Sequence, residues 1–330
     1  MMPVLRRLAL GFPTDWSHRR PYDLPSADFP TPGPSYVEWD PREGVFGDDW
    51  NSALRDQDGV LYDRFGYHAI RICQYALHLY SAWLRTGNDE VREAFFNQAG
   101  WLRDKQQRRK DVDGLYLFSF PWPKYGAGPG WCSAMAQGEA ISVLLRAEHL
   151  RPGAGFGDAA ARAAEPFKRT IERGGVVWTG ERGVFFEEVA NEHAAHILNG
   201  CIFAFWGLWE LHQARRELWE TRLLERATDT ILRWLPLYDT GWWSRYSLQR
   251  TASGRPHVAT LKYHAFHVAQ LRVLASMLRE PRFSNVADRW EGYIDDKRSR
   301  KRLIMDAAVS LYDRARSYDT IARGARADIA

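Results

Sequence analysis

Four stretches of helical periodicity recur along this chain, beginning near residues 67, 133, 192 and 262, 59 to 70 residues apart. In 67–85 the apolar residues Ile70, Cys73, Leu77, Tyr80 and Leu84 fall on one helical face. Gly87 and Asn88 end that stretch, and 90–105 reads as its antiparallel partner. The plan repeats with 133–150 and 158–173, with 192–215 and 218–235, and with 262–278 and 283–293. Between the pairs lie strand-like segments: 115–120, 176–178 with 184–186 around a glycine-bearing turn, and 238–249. Helix pairs joined by such loops predict an all-α fold, an (α/α) toroid of about four helical hairpins with short β-hairpins between the pairs. A plain helical bundle with incidental hairpins is the alternative. In a toroid the loops entering the inner helices gather at one end, so 111–132, 184–192 and 238–263 are expected to share one mouth.

Outside the periodic part the chain changes character. Residues 1–60 are rich in Pro, Asp and Gly, and the prolines of 21–34 exclude a helix there. The expected division is an irregular arm over 1–60 that packs on the body, a toroid over 61–297, and a charged tail over 298–330. The tail is expected to be mobile apart from one amphipathic helix near 303–312.

Charge and cysteines remove several classes of function. A net charge of +4 over 330 residues is too small to argue for nucleic acid or an anionic membrane surface. No apolar run approaches the about eighteen residues a membrane span needs. The first twelve residues hold too short an apolar stretch for a signal peptide, so the expected location is cytoplasmic. Cys73, Cys132 and Cys201 are too scattered for a disulfide framework or a CxxC metal site, and read as small core hydrophobes. Aromatic residues reach 14%, and many stand beside Gly and Pro in the loops, among them Phe118, Phe120, Trp122, Trp131, Trp178, Trp242 and Trp243. Rings on loops suit a carbohydrate cleft, where sugar C–H faces pack on aromatic planes. Filling a wide helical core is the other use of such residues.

Several of the entering segments resemble the D-glucuronyl C5-epimerase family, specifically its C-terminal helical domain. They are 67–81 (YHAIRICQYALHLYS), 130–142 (GWCSAMAQGEAIS), 186–188 (FEE) with 197–200 (ILNG), 235–241 (LPLYDTG), and Tyr263-His264 followed by His267 and Gln270. The order is the family's, over roughly 60–297, and the 130–138 phrase is highly specific. The resemblance is to shorter, bacterial-type members without the β-rich domain of the animal enzymes. It implies inversion of C5 in D-glucuronate units of a polysaccharide, giving L-iduronate. The proton removed is α to a carboxylate, so one group takes it from one face, another returns one to the opposite face, and donors neutralise the carboxylate.

The resemblance implies Tyr246, Tyr263 and Glu188 as catalytic residues. It makes Arg250, Arg245, His264, Trp131, Gln137 and His193 candidates for substrate binding, the arginines because a guanidinium meets a carboxylate with two hydrogen bonds. Two departures stand out. The family's tyrosine after the glutamate is Val189 here, and the family's arginine three residues after the first tyrosine is Gln249, with Arg250 one place later. Valine transfers no proton, so Glu188, His193 and His196 are the nearest substitutes in sequence, and His193 is the first choice. Of the adjacent pair Glu187 and Glu188, alternation on a strand expects one in the cleft and one against solvent. The spacing of Glu188, Glu192 and His196 superficially suggests metal ligation; neither a metal nor a cofactor is expected. The expected partner is an acidic polysaccharide or glycan, and monomer and homodimer both stay open. Two other functions stay open beside the epimerase: a glycan-binding relative without catalysis, and a uronate lyase using the same C5 abstraction.

Overall fold

The computed structural model describes residues 33–37, 53–63, 66–251 and 253–309. Among these residues four helical hairpins follow one another. They are α1 (Ala69–Thr86) with α2 (Asp89–Asp104), α3 (Ala134–Leu150) with α4 (Phe156–Ala164), α5 (Leu198–Arg215) with α6 (Leu218–Tyr238), and α7 (Leu261–Leu278) with α8 (Pro281–Asp295). The first helix of each pair packs on the first helix of the next, α1 on α3, α3 on α5 and α5 on α7. This is the (α/α) toroid, with α1, α3, α5 and α7 inside and their partners outside.

Burial follows that division. In α3, 13 of 17 residues are buried, whereas α8 buries only Phe283, Ala287, Trp290 and Ile294 along one stripe. The inner helices α3 and α5 approach so closely that a Cβ on Gly207 would stand 1.9 Å from the Gly138 carbonyl oxygen. Only glycine permits this crossing. Helix starts follow from local chemistry. The Asn88 side chain accepts from the Glu90 N–H, Ser133 from that of Ala136 and Thr260 from that of Tyr263. Gly87 ends α1 in the left-handed conformation.

Among the described residues the strands form four antiparallel pairs: β1 (Leu54–Arg55) with β2 (Leu61–Tyr62), β3 (Gln107–Arg109) with β4 (Val112–Leu115), β5 (Val177–Gly180) with β6 (Gly183–Phe186), and β7 (Arg245–Arg250) with β8 (Pro256–Val258). The 115–120 strand of the sequence reading falls instead at 107–115, and β8 had no separate signal. Helix α4 stops at Ala164 rather than near 173, giving way to short 3-10 turns around Pro166. Helix α5 begins at 198 rather than near 192, because 190–197 is a loop whose amides are held by Glu187.

Of the expected arm, 1–32 and 38–52 lie outside the described residues. Within 33–37, Ser35, Tyr36 and Val37 are buried, and the Arg146 guanidinium donates to the carbonyls of Gly33 and Pro34. The same guanidinium makes two 2.9 Å hydrogen bonds to Glu210 on α5. Residues 297–309, at the start of the expected tail, are helical, and Leu303 is buried in a small cluster with Trp243, Ala259 and Ile294. The rest of that tail lies outside the described residues. No described helix is long and apolar enough to cross a membrane.

Candidate active site

Three loops are knitted together at one end of the inner helices. Cys132 bridges Ala190, Ile197 bridges Ser247, and the Leu248 N–H donates to the Ala195 carbonyl. The first loop is an excursion over 118–131, closed by Phe118 pairing with Trp131 and by Trp122 pairing with Ala127. Its tip is a single 3-10 turn, Pro123–Tyr125, ended by Gly126 in the left-handed conformation. The Asn191 side-chain amide donates to the Tyr125 carbonyl at 2.7 Å, and the His193 ring lies against Gly126. The turn is thereby fastened to the chain leaving β6, the stretch that carries Glu188.

Glu188 is buried, and its Oε2 has no hydrogen-bond partner. Burial and the charge of Glu187 push its carboxyl up to about 8, against the charge of Lys124, which lowers it. The Glu188 charge acts on three phenols, Tyr125, Tyr246 and Tyr263. Tyr246 comes from β7 and Tyr263 from the first turn of α7, and their rings meet edge to face with centroids 4.8 Å apart. The electrostatics of the three phenols are coupled, with Tyr246 acting on both Tyr125 and Tyr263. Burial holds all three above the ordinary tyrosine range, with the Glu188 charge adding to it. Tyr246 and Tyr263 are half-buried, and Tyr125 is buried. The Lys124 Nζ lies 5.2 Å from the centroid of the Tyr125 ring and 5.8 Å from that of Tyr246.

The other sequence candidates fall elsewhere. His264 is buried in the frame. Its Nδ1 lies 2.8 Å from the Ser244 hydroxyl, its Nε2 lies 2.8 Å from the Trp290 carbonyl, and burial lowers its pKa to about 4. Gln137 is spent on the backbone of Tyr116, Gly114 and Ala163. Arg245 donates to the carbonyls of Leu237 on α6 and of Leu248 and Gln249 on β7, with its Nε buried and without a partner, and the exposed Arg250 donates to that of Gly254. Trp131 is buried, stacked on Phe118 at 4.0 Å, and separated from Tyr125 by Trp122. His193 is exposed at the rim.

Glu187 corrects the expectation of one glutamate against solvent. It is fully buried, and its carboxyl accepts from the Ala195 and His196 amides and pairs with the His196 ring. Both glutamates that follow β6 are buried. His196 is thereby engaged in holding its loop. The helical phase that suggested metal ligation is absent, and no group of three or more His, Cys, Asp or Glu among the described residues could hold a metal. Tyr125 and Lys124 were missed by the sequence reading. The signal was an aromatic and a cation between Pro123 and Gly126, in a segment with no period to assign its faces.

The family described as "D-glucuronyl C5-epimerase C-terminus" matches residues 112–292. The D-glucuronyl C5-epimerase of Caenorhabditis elegans is 34% identical over 225 residues, 64% of this chain and 36% of that protein. An uncharacterized protein of Methanocaldococcus jannaschii is 26% identical over 136 residues, 40% of this chain and 44% of that one. The chain thus spans less than half the length of either relative. Among solved structures, the unsaturated glucuronyl hydrolase of Bacillus sp. GL1 superposes with a TM-score of 0.48 at 16% identity, covering 68% of this chain and 61% of that one. A D-mannose isomerase superposes at 0.46 with 12% identity, covering 76% and 64%. The family match takes in more than half of the chain, including the excursion, both glutamates and all three tyrosines; the chain belongs to the D-glucuronyl C5-epimerase family.

Proposed function

We propose that this protein inverts C5 of D-glucuronate units within a polysaccharide, giving L-iduronate. The observation that carries the reading is Glu188, a buried carboxyl with an unpartnered oxygen, surrounded by three phenols. A carboxyl titrating near 8 is about one-tenth ionised at neutral pH, and it exchanges protons readily in that range. Its ionised form is a base suited to the C5 proton. The phenols hold their protons at the same pH and act as donors from the other face. The family's tyrosine is missing at Val189, but the acid and the base that inversion needs are both supplied by this cluster.

Incubation of the purified protein in D2O with heparosan or another glucuronan tests the reading. Deuterium at C5 together with iduronate supports it. An unsaturated product absorbing in the ultraviolet means a lyase, in which the same base acts and the acid protonates the departing C4 oxygen. Binding with neither product means a glycan-binding protein without catalysis.

A further inference from the structure

The charge of a uronate carboxylate has to be met inside the site, and the need grows as the C5 proton leaves and electron density moves onto the carboxylate oxygens. Of the two arginines of β7, Arg245 turns its terminal nitrogens to the carbonyls of Leu237, Leu248 and Gln249, and Arg250 donates to that of Gly254. Gln249 donates its amide to the His193 carbonyl. The cation whose charge acts on Glu188 is Lys124, and it stands at the tip of the 118–131 excursion. Lys124 is exposed while Glu188 is buried, and both act on the same phenols, Tyr125 and Tyr246.

Lys124 is also oriented. Its Nζ lies 3.2 Å from His257 Nε2, and His257 Nδ1 lies 2.8 Å from the hydroxyl of Ser247, the buried residue next to Tyr246. An ammonium only donates, so Nε2 accepts, and in the neutral ring the proton sits on Nδ1 and points to Ser247. The ring faces Tyr246 edge to face at 5.2 Å. Ammonium and imidazole therefore both lie beside the half-buried Tyr246 ring.

We propose that Lys124, held by His257, is the cation that binds the carboxylate of the substrate's uronate unit. The assignment rests on the glucuronate reading and deepens it. An ammonium is a compact point charge that selects for an acidic sugar without demanding the fixed geometry of a guanidinium. It lies on the solvent side of the phenols, where an entering glycan would arrive.

The test is binding of two matched oligosaccharides, one cut from heparosan and the other with its carboxyl groups reduced to primary alcohols. The wild type is expected to prefer the acidic one. Lys124→Gln is expected to weaken binding of the acidic oligosaccharide about ten- to a hundredfold, as loss of a charge-assisted hydrogen bond does. The same variant should leave the reduced one unchanged, and Lys124→Arg should keep most of the preference. Lys124 is exposed, so a melting curve matching the wild type is expected and separates loss of the contact from loss of the fold. Because Lys124 lowers the pKa of Glu188, Lys124→Gln should also move the pH dependence of C5 exchange to higher pH. Unchanged affinity for the acidic oligosaccharide in Lys124→Gln, or equal weakening for both, overturns the role of Lys124 and leaves the glucuronate reading standing. A wild type that binds neither, or binds both equally, overturns the glucuronate reading and Lys124 with it.

Discussion

Glu188 is a carboxyl group held where it costs stability. Its pKa is about 8 in the folded protein, against the ordinary carboxylate value near 4.5 when unfolded. Between those two values the unfolded chain has released its proton and the native state has not, so stability falls as pH rises through that window. The slope is about 1.4 kcal/mol per pH unit while the window lasts. Glu188→Gln removes the term: it should melt at a higher temperature than wild type at pH 8, with the gap closing toward pH 5, and should lose C5 exchange. A melting temperature that is equal or lower at pH 8 would show that the carboxyl is not strained in this way. A second comparison concerns the missing tyrosine. Tyr125→Phe keeps the ring that packs on Trp122 and removes one hydroxyl from the cluster around Glu188. It should reduce exchange about 10²- to 10⁴-fold if Tyr125 takes part in the proton transfer, and by more than His193→Ala does. The reverse order would return the role to His193. Glu188, Tyr246 and Tyr263, which act on one another in the structure, stood out as candidates because each lies in a stretch that resembles the family. Tyr125 and Lys124 did not, since a proline-bounded turn has neither a helical nor a strand period and its direction is set by pairings across 118–131.

At the scale of elements, the helices were legible and their entry points were not. Apolar periodicity and caps mark α1, α2, α3, α7 and α8 to within a few residues, because packing and local hydrogen bonds favour the same ends. Helix α5 was expected six residues too early. The 192–197 stretch has helix-forming residues, but the buried carboxyl of Glu187 takes the Ala195 and His196 amides, and His196 is turned to a φ of 50°. A side chain from another element overrides local preference there, and nothing within the segment signals it. The first turns of α5 then press directly on the site: a Cβ on Gly200 would lie 2.3 Å from Glu188 Oε2. The new methyl would also stand 2.6 Å from Glu188 Cβ and 2.9 Å from its Cγ, so Gly200→Ala should displace the whole side chain, cut exchange by at least tenfold and lower stability as well. Gly207→Ala meets the backbone of α3 instead. It should destabilise the fold by about 1–3 kcal/mol or more in denaturant titration. If the two variants behaved alike in both assays, the distinction between site and frame would be wrong.

Across the whole molecule, the two ends of the inner helices carry different tasks. Helix α3 begins at Ser133, among the loops of the site, and Arg146 lies thirteen residues further on, about 20 Å down the axis. There its guanidinium is 1% exposed, paired with an equally buried Glu210 on α5, and it also holds the carbonyls of Gly33 and Pro34. Three parts of the chain distant in sequence thus meet at one buried ion pair. Removing one member leaves the other charged and without its partner, which costs about 3–5 kcal/mol, whereas replacing both with apolar groups of similar size is often close to neutral. Arg146→Met should lower stability by that amount, and the double variant Arg146→Met with Glu210→Leu should recover much of it. Because the pair lies far from Glu188 and the phenols, C5 exchange measured below the melting transition should be nearly unchanged in both. A variant that loses exchange while still folded would mean that the closed end of the toroid sets the geometry of the open end. The division between a rigid frame and a site built on its entering loops would then fail.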